Sequence, residues 1–335
     1  MIWTAESLVV DYYEHEYRRR KHAGKSPRTI EEYRVQLKNF ERFFAAQAFT
    51  GPVAAELGRR PRLGDLSDGV IADAMSWQQL RSPTKSAATA NKIRSVLVAI
   101  WNDAARPPRK IISSRPDVEA FDEPNRIIST WTPEEFAALL GAAKTTAGDV
   151  LGVPAPAFWK ALLVANYYTG ARITALMLVR CEHVNLARKS LKLIAENQKQ
   201  KSDQLFQPLP EDCLAALQAI EPAQYGLAER DYLFPWPYDP NRRWKTLRRH
   251  LTRLLKAAKL PATRLHKFHN IRRMTGTRVF ATAGLEAARE YLGHSDRKVT
   301  ERYIDSQQAA PPRKPGELLP PPDPPKPPLR LFDAG

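Results

Sequence analysis

Seven side chains in the second half of the chain are of types that handle a phosphate ester. Arg172 follows the turn Thr169-Gly170-Ala171, and Lys199 and Lys201 lie in a polar stretch between two apolar ones. His269 and Arg272 are three residues apart, which puts them on one face of a helix. His294 follows Gly293, and Tyr303 comes nine residues later. Two arginines can grip the non-bridging oxygens of a phosphate and offset charge in a pentacovalent transition state. A phenol is a nucleophile that can leave again, so a covalent intermediate keeps the energy of the broken bond. A lysine can protonate a departing 5′ oxygen. Two histidines can donate to the phosphate or accept the phenol proton. The set fits displacement at a phosphodiester. That chemistry needs no carboxylate cluster for Mg²⁺ and no glycine-rich phosphate loop, and the sequence offers neither. Cys181, His183, His266 and His269 lack the spacing of a structural zinc site, so no cofactor is expected.

The elements that must position these groups read mostly as helices. Ser26-Pro27 precedes an apolar stripe of Ile30, Tyr33, Leu37, Phe40, Phe43 and Phe44 at helical spacing, with Glu31 and Glu32 in the first turn. A second helix is expected over 67–81. A third runs from Thr84 to about Ala105, with Ile93, Val96, Leu97, Ile100 and Trp101 on one side. Its other side carries Lys85, Thr89 and Lys92, a face able to lie in a major groove. Residues 107–130 lose periodicity and read as a linker. Thr132, Pro133, Glu134 and Glu135 then form a helix start, as N-cap, first helical position and acidic first turn. An apolar helix ends near Gly170, and another begins at about Ala171. Two short strands around a lysine-rich turn span 190–210. Helices follow over 210–220, 241–260, 264–284 and 285–293. The stretch from 310 to 335 holds ten of the 28 prolines and reads as an extended tail, whose apolar end LRLF could dock on a neighbouring protomer.

Composition narrows the partners. The chain has 335 residues, enough for two domains, and a formal net charge of +16, which calls for a polyanion. The runs Arg18-Arg19-Arg20-Lys21 and Arg242, Arg243, Lys245, Arg248, Arg249 are solvated faces or phosphate contacts. No apolar run approaches a membrane span, and the N-terminal stretch is not a signal peptide. Two cysteines in such a length exclude a disulfide scaffold. A cytoplasmic protein acting on nucleic acid, with no membrane role, is the expectation.

Three segments carry a family resemblance. YTGARITALMLV resembles the first arginine box of the tyrosine recombinases of the phage-integrase and Xer type. HNIRRMTGT resembles their His-x-x-Arg box, and YLGHSDRKVTERYID their Leu-Gly-His box with its downstream tyrosine. The boxes occur in the family's order with a lysine hairpin between the first two, and the likeness spans roughly 1–305. It implies a mainly α protein. A helical, SAM-like core-binding domain would cover 1–106, a linker 107–130, an α+β catalytic domain with a small antiparallel sheet 131–309, and a proline-rich tail 310–335. The two domains would form a C-shaped clamp on double-stranded DNA. It further implies that Arg172 and Arg272 clamp the phosphate, that Lys199 or Lys201 is the hairpin general acid, with Lys199 preferred, and that His269 is the base or an orienting residue. His294 would be a further phosphate donor and Tyr303 the nucleophile of a 3′-phosphotyrosyl intermediate. Lys85, Thr89, Lys92, Lys201 and Arg273 would touch DNA. Four protomers would pair two sites, with an accessory DNA-bending protein as a candidate partner. One departure is visible: the family usually has an acid three residues after its first arginine, and here stands Ala175. A type IB topoisomerase shares the chemistry, but the N-terminal helical pattern favours a recombinase. An accessory or regulator that has lost catalysis would show losses, and Ala175 is the one seen. No separate arm-binding domain is expected, because the helical pattern starts close to Met1.

Overall fold

The computed structural model describes residues 2–46, 59–82, 86–112, 116–123, 129–198, 202–225, 231–236, 240–263 and 267–309. Lys85, Lys199, Lys201, His266 and the proline-rich tail therefore lie outside the described residues. The chain divides into two compact units, 1–125 and 126–335. Among the described residues no helix is long and apolar enough to cross a membrane.

The first unit is helical. Helix α1 (Val9–Tyr12) passes through a π-helical turn (Tyr13–Tyr17) into α2 (Arg18–Lys21). Helix α3 (Pro27–Ala45) starts because the Ser26 hydroxyl accepts from the Thr29 N–H and Pro27 occupies the first position. It buries Leu37, Phe40, Phe43 and Phe44 against α4 (Asp68–Arg81) and α5 (Ala87–Ala105). The acids Glu31 and Glu32 sit beyond its first turn. Helix α5 starts at Ala87, three residues later than Thr84, and buries the expected stripe of Ile93, Val96, Leu97, Ile100 and Trp101. Its other side holds Thr89, half-buried, and Lys92, exposed and paired with Glu32 at 3.3 Å. Within the Arg18–Lys21 run, Arg20 is committed to Asp103, a carboxylate only 5% exposed that also receives Tyr12 Oη and Arg109.

The second unit is built on α7 (Ala155–Thr169), which is apolar nearly all round and buries Phe158, Trp159, Leu162, Leu163 and Val164. Helix α6 (Pro133–Lys144) packs on it and begins with a reciprocal cap, Thr132 Oγ1 accepting from Glu135 N–H and the Glu135 carboxylate from Thr132 N–H. Between them, β1 (Asp149–Val150) and β2 (Val153–Pro154) form a minimal hairpin turned by Leu151 and Gly152, both at positive φ. Helix α7 ends at Gly170 in the left-handed region (φ 56°). The helix expected from about Ala171 is the single turn α8 (Ile173–Leu176). An antiparallel sheet of β3 (Val184–Asn185), β4 (Ser190–Leu193) and β5 (Gln204–Phe206) follows, with Leu191 opposite both Val184 and Phe206. The two expected strands are present, and β3 is an addition. Then come α9 (Glu211–Gln218), α10 (Pro240–Ala257), α11 (Phe268–Leu292), α12 (Arg297–Glu301) and α13 (Ser306–Ala309). Helix α11 is interrupted at Gly284, whose φ of 84° and ψ of −179° are non-helical, so 268–283 and 285–292 are two helical runs joined at a glycine. The mainly α architecture with a small antiparallel sheet is the one expected from the sequence.

Candidate active site

Helix α11 crosses α7 where Gly170 ends the latter. Gly170 leaves room there for Leu292 and Thr275 of α11, and Gly276 leaves room for Leu292 within α11 itself. A Cβ on Gly170 would meet Leu292 Cδ2 at 2.9 Å, and one on Gly276 would meet Leu292 Cδ1 at 2.8 Å. Arg272 emerges from α11 beside this point and is 3% exposed. Its guanidinium is held by three acceptors. Nη1 donates to Gly170 O at 2.6 Å, and Nη2 donates to Leu292 O at 2.5 Å and to His294 Nε2 at 2.9 Å. Its Nε is buried with no partner. A buried N–H without an acceptor is costly, and an anion bound beside it would supply one. Burial and the neighbouring Arg172 guanidinium push the Arg272 pKa down to about 10, partly countered by the Tyr303 phenol hydrogen-bonded to it. It stays charged at neutral pH.

The other groups converge on Arg272. Arg172 is the extended residue before α8, half-buried, and near enough to act electrostatically on Arg272, His269 and His294. Gly293, left-handed at φ 60°, ends α11 and turns the chain so that His294 points inward, 4% exposed. Tyr303 is half-buried after α12. Its ring meets His294 edge-on at 4.6 Å and His269 at 4.9 Å, and the Arg272 guanidinium carbon lies 5.6 Å from its centre. His269 is exposed to solvent while His294 is enclosed. Both imidazoles are pushed down to about 4: desolvation is the larger cause, and nearby guanidinium groups add to it. For His269 the guanidiniums are those of Arg273, Arg272 and Arg172. Both are therefore neutral at pH 7 and each offers a lone pair. Arg273 is half-buried, and its Nε also lacks a partner.

Arg172, His269, Arg272, His294 and Tyr303 thus come together, with Arg273 at the side. Lys199 and Lys201 lie between Gln198 and Ser202, where the Gln198 amide donates to Ser202 O at 2.8 Å and to Leu193 O at 3.2 Å. Ala175 is buried in the turn after Arg172, its N–H on Arg172 O at 2.8 Å. Two polar side chains that sequence reasoning passed over are buried here. Thr300 is fully buried, with Oγ1 3.0 Å from His294 Nδ1. Asp305, 2% exposed, accepts from Thr130 N–H at 2.8 Å, while its own N–H donates to Thr277 Oγ1 at 3.0 Å. The segment carrying Tyr303 is thereby tied to α11 and to the start of the unit. Among the described residues no group of three or more His, Cys, Asp or Glu could hold a metal. The arrangement is a cationic cluster with a tyrosine ring against it, a set of groups suited to an oxyanion.

No curated protein sequence matches the chain. The fold is similar to that of the Tn1549 transposon integrase in complex with transposon right end DNA, with a TM-score of 0.63 at 16% identity over 89% of this chain and 94% of that one. It is also similar to a lambda integrase dimer bound to a COC′ core site, with a TM-score of 0.60 at 18% identity over 89% and 95%. XerH site-specific recombinase bound to palindromic difH substrate gives 0.60 at 15% identity over 84% and 77%. At these identities the likeness shows the fold. The sequence profile of the phage integrase family matches residues 130–310, more than half of the chain and the whole of the site described above. The chain belongs to the phage integrase family of tyrosine site-specific recombinases.

Proposed function

We propose that the protein is a site-specific DNA recombinase that breaks and rejoins strands through Tyr303. The observation that carries this reading is the Tyr303 ring set between two neutral imidazoles, beside a buried guanidinium whose Nε has no partner. Arg172 and Arg272 hold the scissile phosphate. The phenol oxygen attacks phosphorus, the bond to the 5′ oxygen breaks, and a 3′-phosphotyrosyl link forms. The phenolic proton passes to an imidazole, with His269 the base or orienting group and His294 a second phosphate contact. Lys199, or Lys201 as the alternative, protonates the leaving 5′ oxygen. A 5′ hydroxyl of the other duplex then attacks the phosphotyrosine and frees Tyr303. The phosphodiester energy is retained throughout, so no cofactor is needed.

In this reading residues 1–106 bind DNA through Lys85, Thr89 and Lys92, the last two on α5. Residues 107–130 link, 131–309 catalyse with Lys201 and Arg273 also touching DNA, and 310–335 form a tail. Similar folds in complex with DNA support a double-stranded partner. A lambda integrase tetramer bound to a Holliday junction supports four protomers on paired sites. An accessory DNA-bending protein would assist, and the work would be cytoplasmic. The test uses a nicked duplex from the DNA flanking the gene. A covalent protein–DNA adduct on a denaturing gel is expected from the parent and not from Tyr303→Phe. An adduct that persists in the Phe variant rules Tyr303 out as nucleophile, and no adduct from any flanking duplex favours a binding protein without cleavage. Binding should also weaken steeply with salt, since phosphate contacts release counterions.

A further inference from the structure

Thr300 sits between the two groups that work on the phosphate. It is on α12, a short helix whose start is fixed by the Asp296 carboxylate accepting from Lys298 N–H at 2.9 Å. Its carbonyl accepts from the Tyr303 N–H at 2.8 Å, and its hydroxyl lies 3.0 Å from His294 Nδ1. One buried residue therefore grips the nucleophile's backbone and the histidine's ring together.

The direction of the second bond follows from chemistry. A guanidinium has hydrogens to give and no acceptor. In the 2.9 Å contact between Arg272 Nη2 and His294 Nε2, the arginine must donate and Nε2 must accept. A neutral imidazole whose Nε2 is bare carries its proton on Nδ1. Nδ1–H then donates to Thr300 Oγ1, the only acceptor role that contact leaves open. We infer that Thr300 is a positioning residue: its hydroxyl holds His294 as the Nδ1–H tautomer and aims the Nε2 lone pair at Arg272 and the Tyr303 ring. This rests on the reading that His294 works at the scissile phosphate. It also sharpens that role. In the free enzyme His294 is an acceptor, and it becomes a donor at Nε2 only after taking up a proton, a state in which Nδ1–H keeps the same bond to Thr300.

The tautomer is measured directly by two-bond ¹H–¹⁵N correlation on the ¹⁵N-histidine-labelled full chain at pH 7.5, with the His294 signals identified by their loss in His294→Gln. Nδ1–H is expected, and an Nε2–H signal overturns the inference. Two variants separate hydroxyl from shape. Thr300→Val keeps the volume and loses the acceptor; Thr300→Ser keeps the acceptor and loses a methyl. Val should cleave a nicked site about ten- to a hundredfold more slowly with DNA binding within about twofold of the parent, and Ser should recover to within about threefold. Val cleaving faster than Ser would show that Thr300 only fills space. His294→Gln cleaving at the parental rate would instead overturn the function assigned to His294, and the tautomer signal distinguishes that failure from failure of the Thr300 inference.

Discussion

Acid should destabilise this protein through His294, by an amount the structure allows to be worked out. The ring is 4% exposed, and burial together with Arg272, Arg172 and His269 pushes its pKa down to about 4 from the 6.5 of a free imidazole. A folded-state pKa below the unfolded one means that the unfolded chain takes up the proton first as pH falls. The contribution is complete above about pH 6.5 and is lost progressively as pH falls toward about 4. At pH 5 the unfolded histidine is almost fully protonated and the folded one almost wholly neutral. The difference is about 2 kcal/mol from this single ring. The exposed His269 adds less, because solvent screens its charge, and His22 and His250 shift in the same direction. A comparison therefore isolates the ring. Urea unfolding of the parent and of His294→Gln, followed by circular dichroism at pH 7.5 and pH 5, should show the parent losing about 2 kcal/mol more than the variant between the two conditions. Equal losses in the two proteins would mean that His294 is not held neutral by its surroundings, and the account of the buried site would fall with it.

Other perturbations bear on neighbouring contacts. Gly170→Ala must place a Cβ at φ 56° and 2.9 Å from Leu292 Cδ2, so stability should fall by about 2 kcal/mol or more in thermal melts, and cleavage should fall with it because Gly170 O anchors Arg272. Arg272→Lys keeps a charge but cannot reach three acceptors and a phosphate at once. Adduct formation should drop on the order of 10²–10³-fold while DNA binding measured by gel shift persists. Asp305→Ala leaves the buried Thr130 N–H without its acceptor and should cost about 1–3 kcal/mol in urea unfolding, with Asp305→Asn intermediate.

Much of the scaffold is legible wherever a local rule is strong. Ser26-Pro27 and Thr132-Pro133 with Glu135 announce α3 and α6, because side-chain oxygens and proline satisfy a helix start that the sequence displays. Gly284 marks the break in α11 because its φ of 84° is a conformation that glycine takes without strain. Strands of two residues, β1, β2 and β3, carry no period long enough to read, and α8 is too short to show its end. In the site, the spacing of Arg172, His269, Arg272, His294 and Tyr303 is visible because these types are uncommon together. The bonds that hold them are not. Gly170 O reaches Arg272 across 102 residues, and nothing near either residue announces it. Thr300 hides in the polar run DRKVTE, which reads as exposed surface, and Asp305 reads as an ordinary surface acid. Both are buried only because the chain folds back onto α11.

The bond between Asp305 and Thr130 joins residues 175 apart in the chain. At roughly 5–20 residues per second, a ribosome needs roughly 9–35 s to travel from one to the other. During that interval the helices of the first unit leave the exit tunnel and become free to fold. The phenol is held against its guanidinium only after residue 305 has emerged, because Arg272, His294 and the Asp305 tie are all made late. During synthesis, then, the first unit can form well before the cationic cluster of the second is assembled.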